Sequence, residues 1–155
     1  DEHRALEPKV VFGHLPIWPV THGRETEILD DSELASLMVE GGVDLYLAGH
    51  HHGFFPGEQS GLKQVTLGCL GGGARPLIGT SGSTPRSFVR FEISSRGTIR
   101  YEALRGPHFR ESIEIINLPE RIGELERLES DAFSFRDDPA IESAEKVRHP
   151  GSENR

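Results

Sequence analysis

The stretch Gly49-His50-His51-His52-Gly53 carries the side chains with the most obvious chemistry. It directly follows the apolar run 43–48, so several imidazoles stand where a buried strand passes into a loop. Imidazole is the commonest protein ligand of metal ions, and it binds them in its neutral form. An upstream apolar run, Val10–Phe12, ends in the same way, in Gly13-His14. Two strands that each end in a Gly-His pair predict a metal site.

The spacing of the histidines suggests which of them share the site. In an extended chain successive side chains point to opposite faces, so His50 and His52 would share a direction and His51 would point away. Glycine before each histidine lets the chain turn tightly and brings the ring close to a shared centre. We therefore expect His50 and His52 to bind metal, with His14 as the third ligand.

The elements that must position these histidines form a strand, a helix and a second strand. Asp31 or Ser32 can cap the start of the helix, apolar residues follow at helical spacing, and Gly41-Gly42 can end it. The length of this unit fits a right-handed crossover between parallel strands. Such a crossover puts both histidine motifs at the same edge of a sheet, where ligands bind in open α/β folds.

The rest of the chain is expected to complete a second sheet and then become polar. Three more strands are predicted, over residues 62–67, 87–93 and 98–104, and the last two form a hairpin. Apolar residues at 118, 122, 125 and 128 predict a short amphipathic helix over 118–129. Residues 130–155 hold few large apolar side chains, which predicts a tail that is disordered or loosely docked.

Taken in order, these motifs resemble the C-terminal half of the calcineurin-like metallophosphoesterases, a family that includes the purple acid phosphatases. The last two signatures of that family are Gly-His and Gly-His-x-His, matched here by Gly13-His14 and by residues 49–52. The similarity covers roughly residues 9 to 104 and includes His22-Gly23 between the two signatures. It implies that residues 1–117 form the C-terminal half of a four-layer α/β/β/α sandwich.

The resemblance also implies an activity and a ligand set. Members of the family hydrolyse phosphate esters with two metal ions, here Fe, Zn or Mn, which lower the pKa of a bridging water. His14 and His50 would bind one ion and His52 the other. His22 and Arg24 lie in the loop that overhangs the substrate in similar enzymes, so they could contact a phosphoryl group. The alternative is that they are ordinary exposed loop residues.

Earlier signatures of the family are missing from the 155 residues. Asp-x-His occurs only at Asp1-Glu2-His3, where no apolar strand precedes it, and neither Gly-Asp-x-x-Asp nor Gly-Asn-His occurs. We therefore expect the chain alone to be inactive, and an N-terminal half to be supplied by a longer gene product or by a partner. The competing hypothesis is a non-catalytic half-fold that acts as a metal-binding or protein-interaction module.

Composition excludes several other classes. No apolar run approaches the about 18 residues of a membrane helix. Residues 1–110 hold 11 Lys and Arg against 13 Asp and Glu, and residues 111–155 hold 6 against 12, so no basic patch for nucleic acid is expected.

The lone Cys69 allows no internal disulfide. The glycine-rich 71–75 lacks a P-loop lysine, and we interpret it as a tight loop near the metal edge.

Overall fold

A computed structural model describes residues 8–94 and 98–130 and the backbone of residues 132–134. The fold is mixed α/β, with two sheets and few helices. The described helices are α1 (Ser32–Glu40) and a 3-10 helix (Ile115–Asn117). The described strands are β1 (Val10–Gly13), β2 (Leu45–Ala48), β3 (Phe55–Gln59), β4 (Leu62–Thr66), β5 (Ser87–Ile93), β6 (Thr98–Arg105), β7 (Glu111–Ser112), β8 (Arg121–Ile122), β9 (Leu125–Arg127) and β10 (Ala132–Ser134).

The larger sheet has six strands in the order β1-β2-β4-β3-β9-β8. β1, β2 and β4 are parallel, and the remaining pairs are antiparallel. In the second sheet β6 pairs with β5 on one side, and with β7 and β10 on the other. The predicted strands are thus confirmed to within one or two residues at their ends.

Helix α1 confirms the predicted crossover between β1 and β2. The Asp31 carboxylate accepts a hydrogen bond from the Leu34 N–H at 2.8 Å, which satisfies one of the free donors of the first turn. At the other end the Gly41 N–H donates to the Leu37 carbonyl at 2.8 Å. Ala35 is buried in the cluster that joins the helix to the larger sheet.

Strand β2 shows how the layers are stacked. Its four residues are all buried, and they alternate between two apolar clusters. Tyr46 and Ala48 face α1, whereas Leu45 and Leu47 face the second sheet together with Ile99. The layers are therefore helix, sheet and sheet. Within the described residues there is no second helical layer, so the four-layer sandwich stays a prediction.

The helix predicted over residues 118–129 is wrong. This segment contains the hairpin β8–β9, in which Ile122 pairs with Leu125 across a two-residue turn. Gly123 has a φ of 60°, the left-handed conformation that hairpin turns of this length require and that glycine adopts without strain. The spacing of the apolar residues 122 and 125 fits a helix as well as a hairpin. The pairing of β9 with β3 favours the hairpin. The larger sheet therefore extends beyond the predicted boundary at residue 117.

The predicted tail begins with a strand. The backbone of Ala132–Ser134 pairs antiparallel with β6, so this part of the segment is docked on the second sheet and is not disordered. The rest of the predicted tail, residue 131 and residues 135–155, lies outside the described residues, as does His3. Among the helices that the structure describes, none is long and apolar enough to cross a membrane.

Strand β1 forms one edge of the larger sheet. Among the described strands it pairs with β2 alone. Val10 packs against the cluster between the two sheets, whereas Phe12, two residues on and hence on the same face, is 76% exposed. An apolar, uncharged edge strand of this kind can pair with a further strand.

Candidate metal centre

His14 and His50 come together at the C-terminal ends of β1 and β2. The two strands are parallel, and Gly13 lies opposite Ala48, so the chain leaves the sheet at the same level in both. His14 Nε2 and His50 Nδ1 are 3.0 Å apart, and the rings meet edge to face with centroids 4.9 Å apart. The predicted proximity of these two imidazoles is confirmed.

Two charged residues from the loop after β1 contact His50 on its other side. His50 Nε2 lies beside the Glu27 carboxylate and is 2.7 Å from Arg24 Nη1. Glu27 also accepts a hydrogen bond from Arg24. The hydrogen bond from His50 holds the pKa of Glu27 below its ordinary value, and the positive charge of Arg24 adds to this effect. Glu27 was missed by the sequence analysis, because it belongs to none of the motifs.

His52 does not join this pair in the described structure. Its Nδ1 lies 3.1 Å from the Gly73 carbonyl, to which it donates, and its ring packs on Gly72. A methyl group at Gly72 would lie 2.6 Å from His52 Cε1, so only glycine fits there without a shift. The glycine-rich loop is thus packed at the histidine edge, as predicted.

The backbone explains why His50 and His52 part. The argument from side-chain alternation assumed an extended chain, but His50 and His52 have φ values of 60° and 58°. Both residues therefore adopt the left-handed conformation, which costs energy for a residue other than glycine. The premise that His50 and His52 share a direction as in a strand is wrong.

His51 points into the protein and helps to hold the loop. Its side chain is completely buried. Nδ1 accepts a hydrogen bond from the Val20 N–H at 3.2 Å, and Nε2 is 3.1 Å from the Glu27 carbonyl, to which it donates. These contacts fit a neutral imidazole with its proton on Nε2. Burial lowers the pKa of His51, because the charged form loses its hydration.

The lowered pKa of His51 predicts a pH dependence of stability. Above the unfolded-state pKa of about 6.5 both states are neutral, and the contribution of His51 is fully present. As the pH falls below that value, the unfolded chain binds a proton that the folded chain excludes, so stability drops until the folded pKa is passed. We expect the free energy of unfolding, measured with urea from pH 7.5 to 5, to fall less steeply in His51→Gln than in the wild type.

The matched control for this experiment is His108→Gln, because His108 is exposed. This variant should keep the wild-type slope. Identical pH slopes in all three proteins would show that His51 does not carry the dependence.

The donor set fits a metal ion in part. Nitrogen ligands at about 2.0 to 2.1 Å from a tetrahedral zinc lie roughly 3.3 Å apart, close to the 3.0 Å between His14 Nε2 and His50 Nδ1. No group of three or more metal-binding side chains occurs in the described part of the chain. His14 contacts Nδ1 of His50, whereas Glu27 contacts its Nε2. His14 and His50 can therefore hold one ion, and His52 stands apart.

The two residues predicted to contact a substrate are separated by the structure. Arg24 reaches His50, as described. His22 contacts two other loop residues. Its Nδ1 is 3.3 Å from the Glu25 carboxylate, and its Nε2 accepts a hydrogen bond from the Gly79 N–H at 3.4 Å. Both ring nitrogens of His22 are thus engaged away from the His14–His50 pair.

Comparisons with known proteins add little to this geometry. No family model matches the chain, and no curated protein sequence matches it. Among solved structures it is similar to Vps29 from Entamoeba histolytica, determined in complex with zinc, at 22% identity and a TM-score of 0.34. The match covers 68% of this chain and 48% of Vps29, so it spans about half the length of that protein. A likeness of this size assigns no function.

Proposed function

We propose that this chain supplies part of the metal centre of a calcineurin-like phosphate-ester hydrolase. The observation that carries the proposal is the His14–His50 pair, because two imidazoles from different motifs meet at adjacent ends of parallel strands. The expected cofactor is a pair of transition metal ions, Fe, Zn or Mn. When bound, such ions polarise the phosphoryl oxygens and generate a hydroxide nucleophile near neutral pH.

In this proposal the residues of the chain bind and orient. His14 and His50 bind one ion, and His52 binds the second. Glu27 accepts a hydrogen bond from His50 Nε2 and another from Arg24, so the carboxylate fixes the orientation of the His50 ring, as hydrogen-bonding partners of metal ligands commonly do. None of these residues acts as general acid or base in the proposal.

The missing ligands would come from an N-terminal half packed beside β1. The exposed Phe12 supports this place, and so does the pairing of β1 with β2 alone among the described strands. A further strand beside β1 would cover the aromatic ring and pair with the backbone of this edge. The donor set supports it too, since within the described ranges no third metal-binding side chain joins the two imidazoles, which makes an incomplete site for a metal pair.

The test is metal-dependent hydrolysis of p-nitrophenyl phosphate. We expect activity when the chain is joined to or mixed with its N-terminal half, and loss of that activity on addition of a chelator and in His50→Ala. We expect none from the 155-residue chain alone. Turnover by the chain alone, abolished by chelator and by His52→Ala, would refute the assignment of the missing ligands to another segment.

A non-catalytic protein-interaction module is the second candidate. It is favoured by the absence of a three-residue metal group from the described part of the chain, together with the exposed edge strand. The two candidates differ in the role of metal. A module of this kind would bind its partner equally well with chelator present and in His14→Ala, whereas the hydrolase would lose activity in both cases.

A further inference from the structure

Thr84 links the backbone of Arg75 to the backbone of His52. The Arg75 carbonyl accepts two hydrogen bonds from Thr84, one from its N–H and one from its hydroxyl, each at 3.0 Å. The same hydroxyl lies 3.3 Å from the His52 carbonyl. Since Gly72 and Gly73 contact the His52 ring, the loop that carries Arg75 wraps around this histidine.

The side chain of Arg75 also reaches the loop that precedes Arg24. A methyl group at Gly23 would lie 3.4 Å from Arg75 Nη1, so the guanidinium packs directly against this glycine. The two loops are held together by the backbone, because the His22 N–H donates to the Pro76 carbonyl at 3.0 Å. Arg75 therefore stands between the loop of Arg24 and the loop of His52.

The charge of Arg75 has no partner in the described part of the protein. No carboxylate of the described residues forms an ion pair with it, and its Nε is buried without a hydrogen-bond partner there. Arg24 likewise has a buried Nε without a partner among these residues, although its Nη1 is engaged by Glu27 and His50. Both arginines are half-buried, and in each the Nε is shielded from water and unpaired among the described residues. A shielded N–H without a partner is costly, so an anion that could accept its hydrogen bond would stabilise this arrangement.

We infer that Arg75, together with Arg24, binds the phosphoryl group of the substrate beside the histidine edge. This inference rests on the proposed function for the identity of the substrate. The guanidinium is suited to the task because its planar fork matches two oxygens of a tetrahedral oxyanion. In this inference Arg75 contacts the phosphoryl group directly, and it is the last residue of the glycine-rich segment 71–75.

The experiment measures binding of inorganic phosphate to the 155-residue chain by calorimetry, with chelator present. We expect Arg75→Ala to weaken binding by about tenfold or more. The matched control is Arg110→Ala, which removes the same charge from an exposed position and should stay near the wild-type affinity. Arg75→Lys, which keeps the charge and loses the fork, should lie between the wild type and Arg75→Ala.

Two results would overturn the inference. One is a wild-type chain that binds no phosphate at millimolar concentration, with zinc or with chelator. The other is an equal loss in Arg75→Ala and Arg110→Ala, which would show only a general charge effect. Failure of the proposed function gives a different result. If the chain binds phosphate through Arg75 but binds no metal, the anion site stands and the proposed hydrolase activity is refuted.

Discussion

Replacement of Gly13 by alanine is expected to lower the free energy of unfolding by about 3 kcal/mol or more. The added methyl group would lie 2.6 Å from Cζ of Tyr46 and still closer to its hydroxyl. Tyr46 cannot easily move away, because it is buried between helix and sheet and its hydroxyl donates to the Leu15 carbonyl at 2.7 Å. Urea unfolding followed by circular dichroism measures the loss.

Gly71→Ala is the matched control for this change. No atom lies within 4 Å of the position that its methyl group would take, and Gly71 is exposed. It should remain within about 0.5 kcal/mol of the wild type. Tyr46→Phe should cost about 1 kcal/mol, since it removes only the hydrogen bond to Leu15. Equal stability of Gly13→Ala and Gly71→Ala would show that the contact between Gly13 and Tyr46 is not close.

The unit from β1 to β2 was predictable because its signals are local. Asp31 caps the helix that it was expected to cap, and Gly41 ends it. The strands on either side are short apolar runs that a parallel crossover can bury. Proximity of His14 and His50 then follows from the topology, since parallel strands that are neighbours end at the same edge.

The segment over residues 118–129 was not predictable from periodicity. Its apolar residues fit a helix. The turn at Gly123 and the pairing of Glu126 with Glu58 of β3 depend instead on contacts with the rest of the sheet. Arg127 shows the consequence: it is buried, and its guanidinium donates to the carbonyls of Ile116 and Leu118 at 3.2 and 2.7 Å. The sequence pattern gave no indication that Arg127 would be buried and would bind these carbonyl groups.

The site itself was predictable only where a motif reached it. Glu27 belongs to no motif, and Arg75 ends the glycine-rich segment 71–75, which was interpreted only as a tight loop. Each reaches its place through a loop whose path depends on long-range contacts. The direction of His52 was missed for another reason. Alternation along a strand was applied to residues that had already left the strand, and the left-handed backbone at His50 and His52 removes the basis of that argument.

Removal of His50 should have the largest effect on metal binding. We expect His50→Ala to weaken binding of the first zinc ion by about 100-fold, because it removes one of the two imidazoles that lie within 3.0 Å of each other. His14→Ala should weaken binding as much. The double variant should be little worse than either single one, since one imidazole holds zinc poorly. Competition with a fluorescent zinc indicator at pH 7.5 measures the affinity.

His52→Ala and His108→Ala separate this pair from the other histidines. His52 shares no hydrogen bond or ring contact with His14 or His50 in the described structure, so its removal should leave the first ion bound as tightly as in the wild type. His108 is exposed and should not contribute. An equal loss in His50→Ala and His108→Ala would mean that zinc binds to scattered surface imidazoles. In that case the pair at the strand ends would be a hydrogen-bonded turn, and the metal centre would lose the observation on which it depends.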